Sequence, residues 1–281
     1  MKQYNRQEVL KRMRAKLESG RILVAAGAGT GISAKFEEEG GADALLVFNS
    51  GRYRMHGLGS LSGLMPYGDA NAIAMEMGTR QVLPIVKEVP VICSVNGTDP
   101  TRVMKSFLAD VADAGFSGVN NFPTVGLIDG KFRATLERTG MGYDKEVEMI
   151  SIAHDMDMFT MAYAFTADEA RRMAEAGCDV LLAHVGLTAG GSIGASETMS
   201  LDEASTLVSD MATGAREVNS EVLVLCHGGP IAGPEDVEHV IERAPVHGFV
   251  GASSMERLPV ETAIRDATRT FADIRIPDDR K

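Results

Sequence analysis

A single (β/α)8 TIM barrel of the α/β class, preceded by one extra helix, is the fold this sequence predicts. Three observations carry that expectation. Eight short apolar runs span the chain, at residues 21–27, 44–50, 89–96, 118–123, 158–165, 179–186, 222–229 and 246–253, each closing on small or polar residues. Stretches with helical periodicity separate them. The length, 281 residues, suits one barrel. Such a fold places its chemistry at the carboxyl ends of the strands, so it also says where to look for function.

The elements follow in order. Val9, Leu10, Met13 and Leu17 recur at helical spacing from about Arg6 to Ser19, and Gly20 stops that helix. We divide the chain into an N-terminal capping helix, residues 1–20, and a TIM-barrel domain, residues 21–281. Three junctions, Gly40-Gly-Ala-Asp43, Ala114-Gly-Phe-Ser117 and Ala176-Gly-Cys-Asp179, end a helix on glycine and enter a strand. Helix starts are equally legible. Thr98-Asp-Pro100 is expected to open a helix running through Asp110, and Thr166-Ala-Asp-Glu169 and Ser200-Leu-Asp-Glu203 have capping-box spacing. Gly233-Pro-Glu-Asp236 puts acids in a first turn, where they suit the helix dipole.

Hydrophobic residues form 44% of the chain, enough for a large core, and no run reaches the roughly 18–20 apolar residues of a membrane span. The N-terminus lacks the apolar centre of a secretory signal, so a cytoplasmic protein is expected. A formal net charge of −11 argues against nucleic acid or an anionic membrane as partner, while leaving room for a small anionic metabolite. Cys93, Cys178 and Cys226 have no CxxC spacing and read as buried thiols. The methionines are scattered like core filler.

Two connections exceed what a barrel needs, residues 51–67 and 124–143, and both follow strands onto the catalytic face. A third, residues 186–200, contains Gly190-Gly191 and suits a gate. The strand ends supply amides, hydroxyls and imidazoles, with few carboxylates. Asn49, Asn96, Asn120, Asn121 and Tyr163 are candidates for binding substrate, and Arg52 or Arg54 for clamping a carboxylate. Gly27 and Gly29 open either a tight turn or an anion-binding helix start, and the pattern is not GxGxxG. Gly228, Gly229, Gly251, Ser253 and Ser254 follow strands seven and eight, where many barrels hold a phosphate or carboxylate.

His184 and His227 stand at matching depth on neighbouring strands and are the candidate acid–base pair. Glu137, in the second long connection, is either a lid carboxylate joining them or a solvated partner of Arg138; Asp99 either serves the site or caps its helix. No HxH or HExxH spacing occurs, so a divalent metal stays open without a recognisable ligand motif.

Gly27-Ala-Gly-Thr-Gly-Ile-Ser-Ala-Lys35, Val95-Asn-Gly-Thr-Asp-Pro100, Val119-Asn-Asn-Phe-Pro-Thr-Val-Gly126, Thr139-Gly-Met-Gly-Tyr143 and Gly248-Phe-Val-Gly-Ala-Ser-Ser-Met-Glu-Arg-Leu-Pro259 resemble segments of the phosphoenolpyruvate-hydrolase-like family, also called TIM-barrel signal transduction proteins. The resemblance covers about residues 22–274. It implies hydrolysis of phosphonopyruvate or a related 2-oxo acid, by analogy with the phosphoenolpyruvate mutase and isocitrate lyase superfamily. It also implies a separately encoded partner with an ATP-binding-like domain, since similar barrels form the C-terminal half of larger proteins. The sequence departs from that superfamily in lacking a KKCGH-like segment and in ending strands three and four on asparagine rather than magnesium-holding acids.

The expectation is therefore a hydrolase or lyase that cleaves a C–C or C–P bond beside a carbonyl in a small anionic 2-oxo acid. The asparagines would orient the carbonyl and the imidazoles would move protons. The alternative is a non-catalytic metabolite-binding or regulatory barrel. A Schiff-base lyase is disfavoured, because no lysine ends a strand. Barrels commonly self-associate, so a homo-oligomer is expected.

Overall fold

The structure is a computed structural model and describes residues 2–280; Met1 and Lys281, the outer limits of the two expected segments, lie outside them. The elements run α1 (Arg6–Glu18), β1 (Leu23–Gly27), α2 (Gly31–Glu39), β2 (Ala44–Val47), α3 (Asn49–Met55), α4 (Ala70–Met77), β3 (Val91–Ser94), α5 (Met104–Asp113), β4 (Gly118–Asn120), α6 (Gly130–Arg138) and α7 (Asp144–Asp155). They continue with β5 (Phe159–Ala164), α8 (Ala167–Glu175), β6 (Val180–His184), α9 (Leu201–Val218), β7 (Leu223–His227), α10 (Pro234–Arg243), β8 (Gly248–Gly251) and α11 (Arg257–Ala272). The strands are all parallel and close in sequence order, with β8 pairing β1. Every predicted apolar run holds one of them.

The strands read as continuous apolar runs because both their faces are covered. Leu23, Ala25, Leu46, Ile92, Phe159, Met161, Leu182 and Leu225 fill the barrel interior, and Val9 and Met13 of α1 belong to that same cluster. The opening helix thus plugs the amino-terminal end. The outward strand residues pack beneath the helices in a second cluster.

Local rules explain most helix starts. Ser200 and Glu203 form a reciprocal capping box, and the Thr166 hydroxyl accepts the Glu169 N–H. One expectation fails. The helix expected from Thr98 begins only at Met104, because Asp99 caps a separate turn, accepting the N–H and hydroxyl of Thr101 and pairing with Arg102.

The long connections are largely helical. The first contains α3 and a 3-10 turn at Ser60–Leu64, and the second a 3-10 turn at Val125–Leu127 and then α6. Residues 186–199 stay irregular.

The eighth barrel helix departs from the pattern. After its first turn α11 leaves the barrel wall: Ile264 is 64% and Phe271 75% exposed. Between α2 and α10, outside β1 and β8, apolar grooves of about 630 and 510 Å³ remain, lined by Val24, Phe36, Val237, Ile241, Phe249 and Met255 among others.

Candidate active site

A cavity of about 260 Å³ opens at the carboxyl mouth of the barrel. Most of its polar groups come from strand ends and the turns just after them: Ser50 and Arg54 after β2, Tyr163 on β5, His184 on β6, His227 on β7, and Ser253 and Arg257 after β8; Ser60 and Thr188 add two hydroxyls from the connections. Leu61 and Leu64 of the 3-10 turn, Phe122 and Leu127 after β4, and Leu187 and Ile193 after β6 add apolar lining.

The ladder aligns His184 directly with His227. Their rings meet edge to face, centroids 4.7 Å apart, and both residues are buried. Their backbone partners set opposite tautomers. Nδ1 of His184 accepts the Gly186 N–H at 3.0 Å, so its proton sits on Nε2. Nδ1 of His227 lies 2.6 Å from the Val250 carbonyl, which can only accept, so His227 is protonated there and its Nε2 keeps a lone pair. Burial holds His184 well below the usual histidine range, and the adjacent His227 adds to this. Burial likewise lowers His227 to about 4, against the bond to Val250, with Arg54 lowering it further. At neutral pH the cavity thus holds one uncharged donor and one uncharged acceptor. Tyr163 packs on both rings, at 5.3 and 5.4 Å, and burial pushes its phenol up.

Two arginines frame the pair. Arg54 gives Nε and Nη2 to Oε2 of Glu256, at 2.9 and 2.7 Å, and both residues are buried. Glu256 Oε1 accepts the Gly29 N–H at 2.6 Å, and Arg54 Nη2 also reaches the Gly27 carbonyl. The brace therefore ties the turn after β1 to the segments after β2 and β8. Glu37 stands beside it, and burial, followed by the charge of Glu256, raises it to about 8 with Arg54 opposing.

Arg257 pairs with Glu261 at 2.8 Å and donates to the Gly190 carbonyl; its buried Nε has no partner among the described residues. Glu261 also takes the N–H and hydroxyl of Ser192. These contacts fasten the irregular segment over the cavity. Gly191 is required there: its φ is +72°, and a Cβ would strike the Arg257 guanidinium.

Several expected site residues lie elsewhere. Asn120 donates to the Met161 carbonyl and accepts the Ser94 hydroxyl. Asn121 accepts the Tyr163 N–H and donates to the buried Glu146. Asn96 gives its N–H to Asn71 and accepts from Thr98, and Asn49 holds the Gly63 carbonyl. These amides face neighbouring backbone and side chains and do not line the cavity. Arg52 pairs with Glu76 on the outside.

Glu137 does not close over the imidazoles. Because its connection is helical, it pairs with Arg133 one turn back and accepts the Tyr143 N–H. Of the glycines expected to hold an anion, Gly29 donates to Glu256 and Gly229 to the Gly186 carbonyl; Gly27, Gly228 and Gly251 do not line the cavity. Ser253 lines it, whereas Ser254 lines the outer groove. Arg54 was among the candidates, but its brace with Glu256, and Arg257 with Glu261, were missed; the Arg54–Glu256 partners are far apart in sequence, and the charged Glu256-Arg257 step after the last strand was the available signal.

The parallel closed barrel matches solved structures at the level of fold. Phosphonopyruvate hydrolase aligns with a TM-score of 0.62 at 19% identity, over 97% of this chain and 90% of that one. Oxaloacetate acetylhydrolase with 3,3-difluorooxalacetate gives 0.60 at 15%, over 99% and 92%. A 2,3-dimethylmalate lyase of the PEP mutase/isocitrate lyase superfamily gives 0.60 at 15%, over 96% and 89%. The likeness is one of fold, a closed parallel barrel shared with these enzymes. More narrowly, residues 8–274 match the phosphoenolpyruvate hydrolase-like family, and the chain belongs to it.

It is 54% identical over 267 residues to the ToMV susceptible protein tm-1(GCR26) of Solanum lycopersicum, covering 95% of this chain and 35% of that protein. It is 33% identical over 270 residues to a putative transcriptional regulatory protein, y4pA, of Sinorhizobium fredii, covering 96% and 44%. The chain therefore spans less than half the length of these relatives.

Phosphonopyruvate hydrolase has been solved with oxalate and Mg²⁺. The residues here do not fit that ion. No carboxylate lines the cavity, and no group of three His, Cys, Asp or Glu suited to a metal occurs among the described residues. Hard Mg²⁺ takes oxygen ligands in near-octahedral array, and the Glu256 carboxylate beside the cavity is already engaged by Arg54 and Gly29.

Proposed function

We propose that this cavity binds a small anionic 2-oxo acid and cleaves the C–C or C–P bond next to its carbonyl, as a hydrolase or lyase. The opposite tautomers of His184 and His227, facing one cavity, carry the reading. His227 Nε2 is a base without a positive charge to lose, and His184 Nε2–H is a donor for oxygen that becomes negative in the transition state. Arg54 and Arg257 supply N–H groups for the acid, with Ser253 and Tyr163 beside them. Of the residues expected from sequence, His184, His227, Tyr163, Ser253 and Arg54 line this cavity and stay in the proposal; Arg257 joins them, and Arg52 and the asparagines leave it.

Turnover of a panel of 2-oxo acids by the full chain tests this. His184→Asn and His227→Asn are each expected to lose 10²-fold or more in kcat with the circular dichroism spectrum unchanged. Wild-type rates in both would remove the acid–base pair.

A regulatory role beside a second domain is the other reading, supported by relatives more than twice as long as this chain. Under it, ligand binding survives loss of both imidazoles. A separately encoded ATP-binding-like protein remains the proposed partner. Self-association is supported by α11: its apolar side stands free while the wall beneath β1 and β8 lacks a covering helix. Glu238 and Glu242 rim the larger groove, and Arg269 lies on the free helix, so a second copy's α11 matches in polarity and charge. Cytoplasmic residence is part of the same proposal, supported by three buried free thiols.

A further inference from the structure

The charge of the cavity discriminates between the two bonds left open above. Arg54 is neutralised by Glu256 and Arg257 by Glu261, each at salt-bridge distance. Both imidazoles are uncharged at neutral pH, burial being the main cause. The surroundings thus sum to about zero, with two unengaged cationic N–H groups: the buried Nε of Arg257, and Nη1 of Arg54, which has no protein partner among the described residues. A phosphono-2-oxo acid brings close to three negative charges at neutral pH. Desolvating them against a balanced cavity is costly. A monocarboxylate brings one, which two guanidinium N–H donors and the Ser253 hydroxyl can satisfy.

Shape points the same way. Leu61, Leu64, Phe122, Leu127, Leu187 and Ile193 come from the loops above the strand ends, so the outer part of the cavity is mainly apolar, broken by Ser60 and Thr188, while the imidazoles and Tyr163 lie at its floor. At ~30 Å³ per water-sized group, the 260 Å³ cavity accepts about eight or nine such groups, more than the six heavy atoms of pyruvate.

We propose that the substrate is a monoanionic 2,4-dioxo acid, a pyruvyl head carrying an apolar acyl arm, hydrolysed between C3 and C4. This rests on the 2-oxo acid reading above. The step balances with water alone. His227 Nε2 takes a proton from water as the water oxygen bonds to C4, and the C4 oxygen becomes an oxyanion on His184 Nε2–H. Collapse restores the C4 carbonyl and breaks C3–C4, leaving the electron pair on C3 as pyruvate enolate. The His227 imidazolium returns its proton to C3. The products are pyruvate and a short-chain carboxylic acid, which ionises to solvent.

Calorimetry on the full chain with chelator present, using pyruvate, 2-oxobutanoate, 2-oxopentanoate, 2-oxohexanoate and phosphonopyruvate, tests the substrate class. Affinity is expected to rise roughly fourfold per added methylene, with phosphonopyruvate no tighter than pyruvate. Leu61→Asn and Ile193→Asn should flatten that series. Turnover of 2,4-dioxopentanoate, whose nine heavy atoms match the cavity, followed by pyruvate release, should be indifferent to EDTA. Phosphonopyruvate binding tenfold tighter than 2-oxohexanoate, or hydrolysis that needs Mg²⁺, would overturn this inference and leave the 2-oxo acid reading standing. A clear methylene series without dioxo acid turnover would overturn the cleavage step. Millimolar 2-oxo acids that fail to bind at all would sink both.

Discussion

The two halves of the carboxyl face use polar residues in opposite ways. On the β6–β8 side, His184, His227, Ser253 and Arg257 turn functional atoms into a cavity. On the β3–β4 side, Asn96, Asn120 and Asn121 turn theirs into the wall. Both sets end strands, so position alone does not decide. The difference lies in what surrounds them. After β4 the chain brings in Glu146 from α7, buried and bonded to Asn121 and the Val125 N–H. The asparagine completes that network and carries the β4–β5 ladder past its last backbone bond. After β6 the chain stays irregular, and each imidazole engages backbone through only one nitrogen, leaving the other for the cavity.

This contrast can be broken directly. His227→Asn should leave the unfolding midpoint near wild type and cost activity of 10²-fold or more. Asn121→Ala should do the reverse, costing about 2–4 kcal/mol of stability through the buried groups it strands, with kcat falling far less. Thermal unfolding and single-turnover rates on both variants separate the two sides; equal stability losses would show that they do not differ in kind.

The Arg54–Glu256 brace belongs to both categories. Arg54→Met leaves an uncompensated buried carboxylate and should cost about 3–5 kcal/mol. Arg54→Met with Glu256→Met should recover most of that stability but not binding of the 2-oxo acid. Recovery of both would demote Arg54 to a structural role.

A smaller effect appears in the pH profile. Glu146 and Glu37 are raised to about 8 by burial, so the stability they provide is full below the unfolded carboxyl range near 4.5 and declines as pH rises through 8. His184 and His227 are depressed, so their contribution is present above the unfolded value near 6.5 and is lost as pH falls toward 4. From about 4.5 to 6.5 the two slopes oppose; above 6.5 the carboxyls act alone. Denaturant titrations should therefore show stability falling from pH 6.5 to 8, less steeply in Glu146→Gln. Turnover governed by His227 should be flat from pH 6 to 8 and fail only toward 4.

The barrel was legible because its signal is local: a strand buried on both faces is mostly apolar, and β1 to β8 are, with polar residues such as Asn120, His184 and His227 at their carboxyl ends. The histidine pair was legible because register follows from the same runs. The rest of the site depends on partners remote in sequence. Arg54 meets Glu256 across 202 positions, and Arg257 meets Gly190 across 67. No periodicity encodes such distances. The asparagines misled for a related reason, since an amide at a strand end looks the same whether its acceptor is a ligand or the next strand.

Glu137 gives the sharpest small test of that limit. Read along the chain it sits in a long glycine-bearing connection and suits a lid; folded, it lies on α6, one turn from Arg133, which also binds Glu169 on α8. A closing carboxylate that moved protons would lose 10²-fold or more in kcat on becoming an amide. A partly exposed i,i+4 partner is worth about 0.3–0.5 kcal/mol, and the amide oxygen of glutamine still accepts the Tyr143 N–H. Glu137→Gln should therefore change kcat by less than twofold and lower the unfolding midpoint by under a degree or two. A hundredfold loss of turnover at unchanged stability would restore Glu137 to the chemistry and require α6 to swing over the imidazoles during the reaction.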